Sequence, residues 1–137
     1  MASLTAPATP LYRGRMDHTS GFLQLVEAAR RQIRECTVAD LQARVEGGEP
    51  FHFIDVREDN EFAAGHAVGA RHLGRGIIER DIERLIPERT EPIILYCGGG
   101  FRSALAAESL QKMGYSNVLS LAGGFRALRE ERFPMER

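Results

Sequence analysis

Apolar residues along this chain recur with two different periods. From Ser20, the residues Phe22, Val26, Ala29 and Ile33 fall at helical spacing, i, i+4, i+7 and i+11, and Ser20 is placed to cap that helix. Arg30, Arg31 and Arg34 lie in its last turns, where positive charge suits the helix dipole. Thr37 is placed to cap a second, shorter helix with Val38, Leu41 and Val45 facing inward, ended by Gly47-Gly48. The pattern then changes. Phe51 to Val56 reads as a buried strand with Asp55 and Arg57 at its carboxyl end. Glu58 to Ala64 predicts a short helix, Gly65-His66 and Gly69-Ala70 mark turns, and His72-Leu73 reads as a very short strand. Ile78, Ile82 and Leu85 form another helical stripe, with Pro87 after its end. Pro92 to Tyr96 is a strand, followed by a glycine-rich loop and a helix carrying Ala104, Leu105, Ala106, Ala107, Leu110 and Met113. Gly114 is placed to end that helix. Asn117 to Leu121 is a further strand, and Gly123-Gly124 leads into a last helix over about Phe125 to Glu131.

Strands that alternate with helices predict an α/β domain with a mainly parallel sheet. In such sheets ligands bind at the carboxyl ends of the strands. Cys97, Asp55, Arg57 and the Gly123-Gly124 turn are all expected at such ends.

The loop carries the chemistry. Cys97 closes a strand, Gly98, Gly99 and Gly100 make the turn, and Phe101, Arg102 and Ser103 open a helix. Glycines let successive backbone N–H groups turn toward one point, which makes a nest for negative charge. The start of the following helix adds to the same field. A cysteine there favours the nucleophilic thiolate, and Arg102 adds a forked positive charge. The alternative is an inert cysteine beside a glycine-rich turn, the commoner fate of a free thiol. The combination of strand end, three glycines, arginine and helix start favours the chemical reading. A P-loop is excluded, because that motif ends in Lys-Ser/Thr and this loop ends in Arg102-Ser103 after only three glycines.

Composition narrows the class. The 137 residues suit one domain with some extra chain, and 43% of them are hydrophobic, enough for an ordinary core. The formal net charge of -1 gives no electrostatic case for nucleic acid or an anionic membrane surface. No apolar run is long enough to span a bilayer. Residues 1–19, rich in Pro, Thr, Ala and Ser and without the apolar block of a signal peptide, read as a loose tail. The expected compartment is therefore the cytosol, where thiols stay reduced. Cys36 and Cys97 form no CxxC, and His18, His52, His66 and His72 show no HxxxH spacing, so neither a disulfide framework nor a metal site is indicated.

Taken together, these residues resemble a rhodanese-like domain over 36–131. The run Cys97-Gly98-Gly99-Gly100-Phe101-Arg102-Ser103 is similar to that family's active loop, C-x-x-G-x-R-S/T. Ile54-Asp55-Val56-Arg57-Glu58, followed by Glu61-Phe62, Gly65-His66 and Gly69-Ala70, resembles its first signature, and Val118 to Phe125 its closing one. The order of the three matches is also the family's. Departures are Ala67-Val68-Gly69 where the family often has Ile-Pro-Gly, and Leu128 where it often has Trp.

The resemblance implies a three-layer α/β/α fold and a sulfurtransferase that needs no cofactor. Cys97 would attack a sulfur donor, thiosulfate or a persulfide, and become a persulfide itself. Residues Gly98, Gly99, Gly100, Phe101, Arg102 and Ser103 would surround it. The outer sulfur would then pass to cyanide, a thiol or an acceptor protein. Cysteine phosphatases and some arsenate reductases on this fold use the longer C-x5-R loop, and Cys97 to Arg102 is C-x4-R, which favours sulfur. The loop carries no basic residue besides Arg102, which suits a persulfide or a protein-bound sulfur better than thiosulfate. The rival is a carrier or recognition module without turnover.

The remaining residues are expected to serve structure. Asp55 and Arg57 pair with each other and with nearby loops, with a role at the site as the alternative; His66 sits in a turn, and Cys36 packs at the domain edge, with a resolving role as its alternative. Phe101 either walls the pocket or packs beneath the loop. The helix at 20–35 lies outside the family core and docks on its own domain, with a dimer contact as the alternative; 132–137 reads as a tail.

Overall fold

A computed structural model describes residues 18–137. Most of the loose tail expected over 1–19 therefore lies outside the described residues. Helix α1 spans Ser20–Arg30, strand β1 Arg34–Cys36, α2 Val38–Glu46, β2 His52–Asp55 and α3 Asp59–Ala64. Two short strands follow, β3 at His66–Ala67 and β4 at Arg71–His72, then α4 at Ile78–Leu85 and β5 at Ile93–Tyr96. Helix α5 spans Phe101–Lys112, β6 Val118–Leu121, α6 Gly124–Glu130 and β7 Met135–Glu136.

Five strands form a parallel sheet in the order β1-β6-β5-β2-β4. The alternation of β5 divides the core. Ile93 and Leu95 face one side, with Ile54, Ile78, Ile82, Ala106, Leu110 and Tyr115. Ile94 and Tyr96 face the other, with Phe53, Leu41, Leu121, Leu128 and Phe133. Side chains on a strand point alternately to the two faces, so a fully apolar strand buried on both sides needs helices over each. Helices α4 and α5 cover the first face and α2 and α6 the second, which is the expected α/β/α arrangement. Thr37 caps α2 as expected: its hydroxyl accepts from the Asp40 N–H, and the Asp40 carboxylate accepts from the Thr37 N–H.

The structure corrects the expected pattern in several places. Ser20, expected to cap the first helix, is the first residue of α1, whose N-cap is Thr19 without a side-chain cap bond, and His66, expected in a turn, lies in β3. The first helix stops at Arg30, and Arg34–Cys36 forms a strand beside β6 where the stripe continued the helix to Ile33 and Arg34. Its bonding partners are Leu119, Ser120 and Leu121, more than eighty residues away, so no local pattern marks it. Val45, expected inward, is 53% exposed, because only Val38 and Leu41 of α2 reach the core. The segment expected as a tail, 132–137, carries β7, which pairs antiparallel with β3. Phe133 just before it is buried against Phe53.

Because β2, β5 and β6 are parallel, their carboxyl ends share one edge of the sheet. Asp55, Cys97 and the Gly123-Gly124 turn stand there.

Candidate active site

Cys97 directly follows β5 and is 1% exposed. The chain then makes its turn into α5 with Gly100 at φ +97, a left-handed conformation that a side chain resists. That turn aims backbone donors at the sulfur. The N–H of Gly100 lies 3.1 Å from Cys97 Sγ and that of Ser103 3.3 Å. The Ser103 hydroxyl is 3.5 Å away. The sulfur sits at the N-terminus of a twelve-residue helix, in its positive field.

The far side of the loop is held by α6. The N–H of Phe125 donates to the Cys97 carbonyl at 2.7 Å, and that of Arg126 to the Gly98 carbonyl at 3.1 Å. In a trans peptide the N–H points opposite to the C=O. Binding these two carbonyls to α6 therefore turns the N–H groups of Gly98 and Gly99 away from it. Gly124 makes the approach possible. It has φ +52, and a Cβ there would fall 2.3 Å from the Cys97 carbonyl oxygen.

Arg102 is not an open charge in the nest. Its guanidinium donates to both oxygens of Glu61, at 2.9 and 3.4 Å. The hydrogen bond from Arg102 holds the Glu61 carboxyl below the usual carboxylate range, against the opposing pull of burial. Glu61 is the site residue that sequence reasoning left without a role. Its only signal was its place in the first signature, 41 residues from its partner. Phe101 packs against α1 and against His18 just before it. Its ring lies 4.4 Å from His18 and 6.1 Å from Phe22, and the Arg30 guanidinium stands 5.0 Å from its centre.

The other candidates are each engaged by contacts within the fold. Asp55 and Arg57 are buried as a forked pair, with Nη2 to Oδ2 at 2.7 Å, and Arg57 also donates to the Gly65 carbonyl. Its guanidinium lies 4.0 Å over the Phe125 ring. His66 shares a hydrogen bond with the Phe62 carbonyl and stacks on the Phe62 ring at 3.7 Å. Cys36 belongs to the core on the opposite face of the sheet from Cys97, and burial pushes its thiol up to about 11. Both cysteines are unpaired thiols. A cleft of about 490 Å³ opens beside Gly98, lined by Phe125, Arg126, Arg129 and Glu130.

Comparison with known proteins decides the family. The sequence model of the rhodanese-like domain matches residues 37–131. The chain belongs to the rhodanese-like family. The match takes in the loop, both flanking signatures and the whole sheet except β1; α1 and β7 also fall outside it.

Among curated relatives, the uncharacterized protein YqhL of Bacillus subtilis is 38% identical over 53% of this chain and 56% of its own length. A second Bacillus subtilis relative is matched over 50% of its length, so the chain spans about half the length of these two. Thiosulfate sulfurtransferase GlpE of Vibrio cholerae is 32% identical over 62% of this chain and 78% of its own. Among solved structures, a protein of unknown function from Rhodopseudomonas palustris, described as a "Possible Tyrosine Phosphatase", superposes with TM-score 0.78 at 30% identity. It covers 89% of this chain and 98% of its own. That share exceeds residues 37–137, so the likeness extends into the N-terminal segment that the rhodanese-like match leaves out. The chain thus sits in a sulfur-transfer family, and no described helix is long and apolar enough to cross a membrane.

Proposed function

We propose that this protein is a sulfurtransferase that carries sulfane sulfur on Cys97. The observation that supports this reading is the pair of backbone N–H groups, from Gly100 and Ser103, aimed at Cys97 Sγ at the start of α5. Such donors favour anionic sulfur, both as the thiolate that attacks and as the persulfide that results.

In the first step the Cys97 thiolate attacks the outer sulfur of the donor. The donor's own bond to that sulfur breaks, and its electron pair leaves with the remainder, which is sulfite when the donor is thiosulfate. Cys97 then carries a persulfide anion in the nest of residues 98–103. In the second step cyanide or a thiolate, free or on an acceptor protein, attacks the outer sulfur. The S–S bond breaks, and its electron pair returns to Cys97 Sγ. Two-electron bookkeeping closes without a cofactor. A reducing compartment such as the cytosol keeps the Cys97 thiol available.

With Arg102 neutralised by Glu61, the nest relies on backbone dipoles rather than a net cation. That favours donors of low charge, such as persulfides, over thiosulfate. The name of the Rhodopseudomonas palustris neighbour raises phosphate ester hydrolysis as a second reading. The C-x4-R loop, one residue shorter than that of cysteine phosphatases, argues against it.

Intact mass after incubation with thiosulfate or a small persulfide tests the proposal. The wild type gains one sulfur atom from at least one of these, cyanide or dithiothreitol removes it, and Cys97→Ala gains none. Hydrolysis of para-nitrophenyl phosphate without any sulfur uptake would replace this reading with the phosphatase.

A further inference from the structure

Behind Cys97 lies a second buried hydroxyl that the backbone nest does not explain. Ser103 Oγ, 3.5 Å from Cys97 Sγ, is also 2.8 Å from Ser120 Oγ. Both serines are completely buried. Ser120 stands in β6, between Leu119 and Leu121, in a strand bonded to β1 on one side and β5 on the other. Interior parallel strands are ordinarily filled with branched apolar residues. A buried hydroxyl there costs free energy unless its hydrogen bonds are made. Among the described residues, Ser103 Oγ is the only hydrogen-bond partner of Ser120 Oγ.

The protons in this file can be counted. When Cys97 is a thiol, the S–H and the two O–H groups place three protons on two contacts, and one donor is left unused. When the sulfur is anionic, Ser120 donates to Ser103 and Ser103 donates to the sulfur. Every proton then has an acceptor. The orientation is forced, because Ser120 has no other acceptor among the described residues. A hydroxyl that accepts one hydrogen bond is also a stronger donor of the next.

We propose that Ser120 is a positioning residue for sulfur transfer, turning the Ser103 hydroxyl onto the anionic sulfur of Cys97. It acts through Ser103 and touches no substrate. The same file meets the electron pair that returns to Cys97 Sγ when the persulfide is discharged. The proposal rests on the sulfur-transfer reading for its consequence in turnover, though not for the orientation of the hydroxyls.

The test compares Ser120→Ala, Ser103→Ala, the double variant and Ser120→Thr in two assays. One is steady-state transfer from thiosulfate to cyanide. The other is alkylation by iodoacetamide at pH 7, followed on the peptide that contains Cys97, which needs no sulfur chemistry. Ser120→Ala is expected to lower both kcat and the alkylation rate about fivefold, the worth of roughly one net hydrogen bond, with KM within about twofold of wild type. Ser103→Ala loses at least as much. The double variant loses no more than Ser103→Ala, because the two act in series. Ser120→Thr keeps the hydroxyl and stays close to wild type. Wild-type alkylation in Ser120→Ala, losses that multiply in the double variant, or a Ser120→Thr as slow as Ser120→Ala would each overturn the assignment. A wild-type protein that takes up sulfur neither from thiosulfate nor from a small persulfide, yet shows the expected alkylation pattern, would instead overturn the sulfur-transfer reading and leave the hydroxyl file standing.

Discussion

Arg102 lies in the loop, yet its charge is spent on Glu61, and this one ion pair shapes what the nest attracts. Arg102 and Glu61 are each about one-third exposed, so the pair is worth more to geometry than to stability. Removing the carboxylate alone uncovers the cation. Glu61→Gln is therefore expected to speed loading of Cys97 from thiosulfate more than from a neutral persulfide donor, and Arg102→Ala to slow it with the same bias. Single-turnover loading rates for the two donors check this; equal changes for both would show that Arg102 only shapes the loop. The acid side follows from the lowered Glu61 carboxyl. A group depressed in the folded state stabilises above its unfolded value, about pH 4.3, and that contribution is lost as pH falls through the folded value. The acid limb of a melting-temperature profile is expected to flatten slightly in Glu61→Gln.

Helix α1 lies outside the rhodanese-like match, but it is tied to the Cys97 loop. Val26 and Ala29 are fully buried, and the helix runs against α5. Side chains on a helix lean toward its N-terminus, which lets Arg30 reach back over the Phe101 ring. Phe101 is thus walled by His18, Phe22 and Arg30 on one side, and its ring stands beside Gly99 on the other. Phe22→Ala is expected to cost about 1–2 kcal/mol, less than a fully buried aromatic because Phe22 is half-buried. Amide hydrogen exchange over residues 98–103 should quicken at the same time. A variant that loses stability without quickening exchange in the loop would show that α1 is only a lid on α5.

For the molecule as a whole, the loop is a joint between two α/β units rather than a local turn. The carbonyls of Cys97 and Gly98 are bound by the first N–H groups of α6, which starts 27 residues after Cys97. Gly124 is the contact point, with no room for a Cβ against Cys97 and a φ that a side chain strains. Gly124→Ala is therefore expected to lower stability by at least about 2 kcal/mol, from backbone strain and the clash together. It should also slow alkylation of Cys97, because the nest loses its seat. Urea unfolding and alkylation rates read the two effects separately. Full stability with slow alkylation would mean that the loop had moved while the core had not.

Much of this was legible in the sequence, and for a physical reason. Helices, glycine turns and the Thr37 cap are closed by bonds between near neighbours, so spacing alone announced them. The two-sided burial of β5 wrote itself as an unbroken apolar run, and the loop around Cys97 is a contiguous string whose composition already implied a nest. Strands β1 and β7 were not legible, because two or three residues carry no period and their partners lie in β6 and β3. Likewise, the sequence determined that Cys97 has backbone donors, an arginine and a serine within reach. Only the tertiary structure decided that Glu61 holds the arginine, that Phe101 turns to α1, and that Ser120 stands behind the serine. Those meetings join residues 17 to 83 positions apart, and packing of the sheet and its helices, not local preference, brings them together.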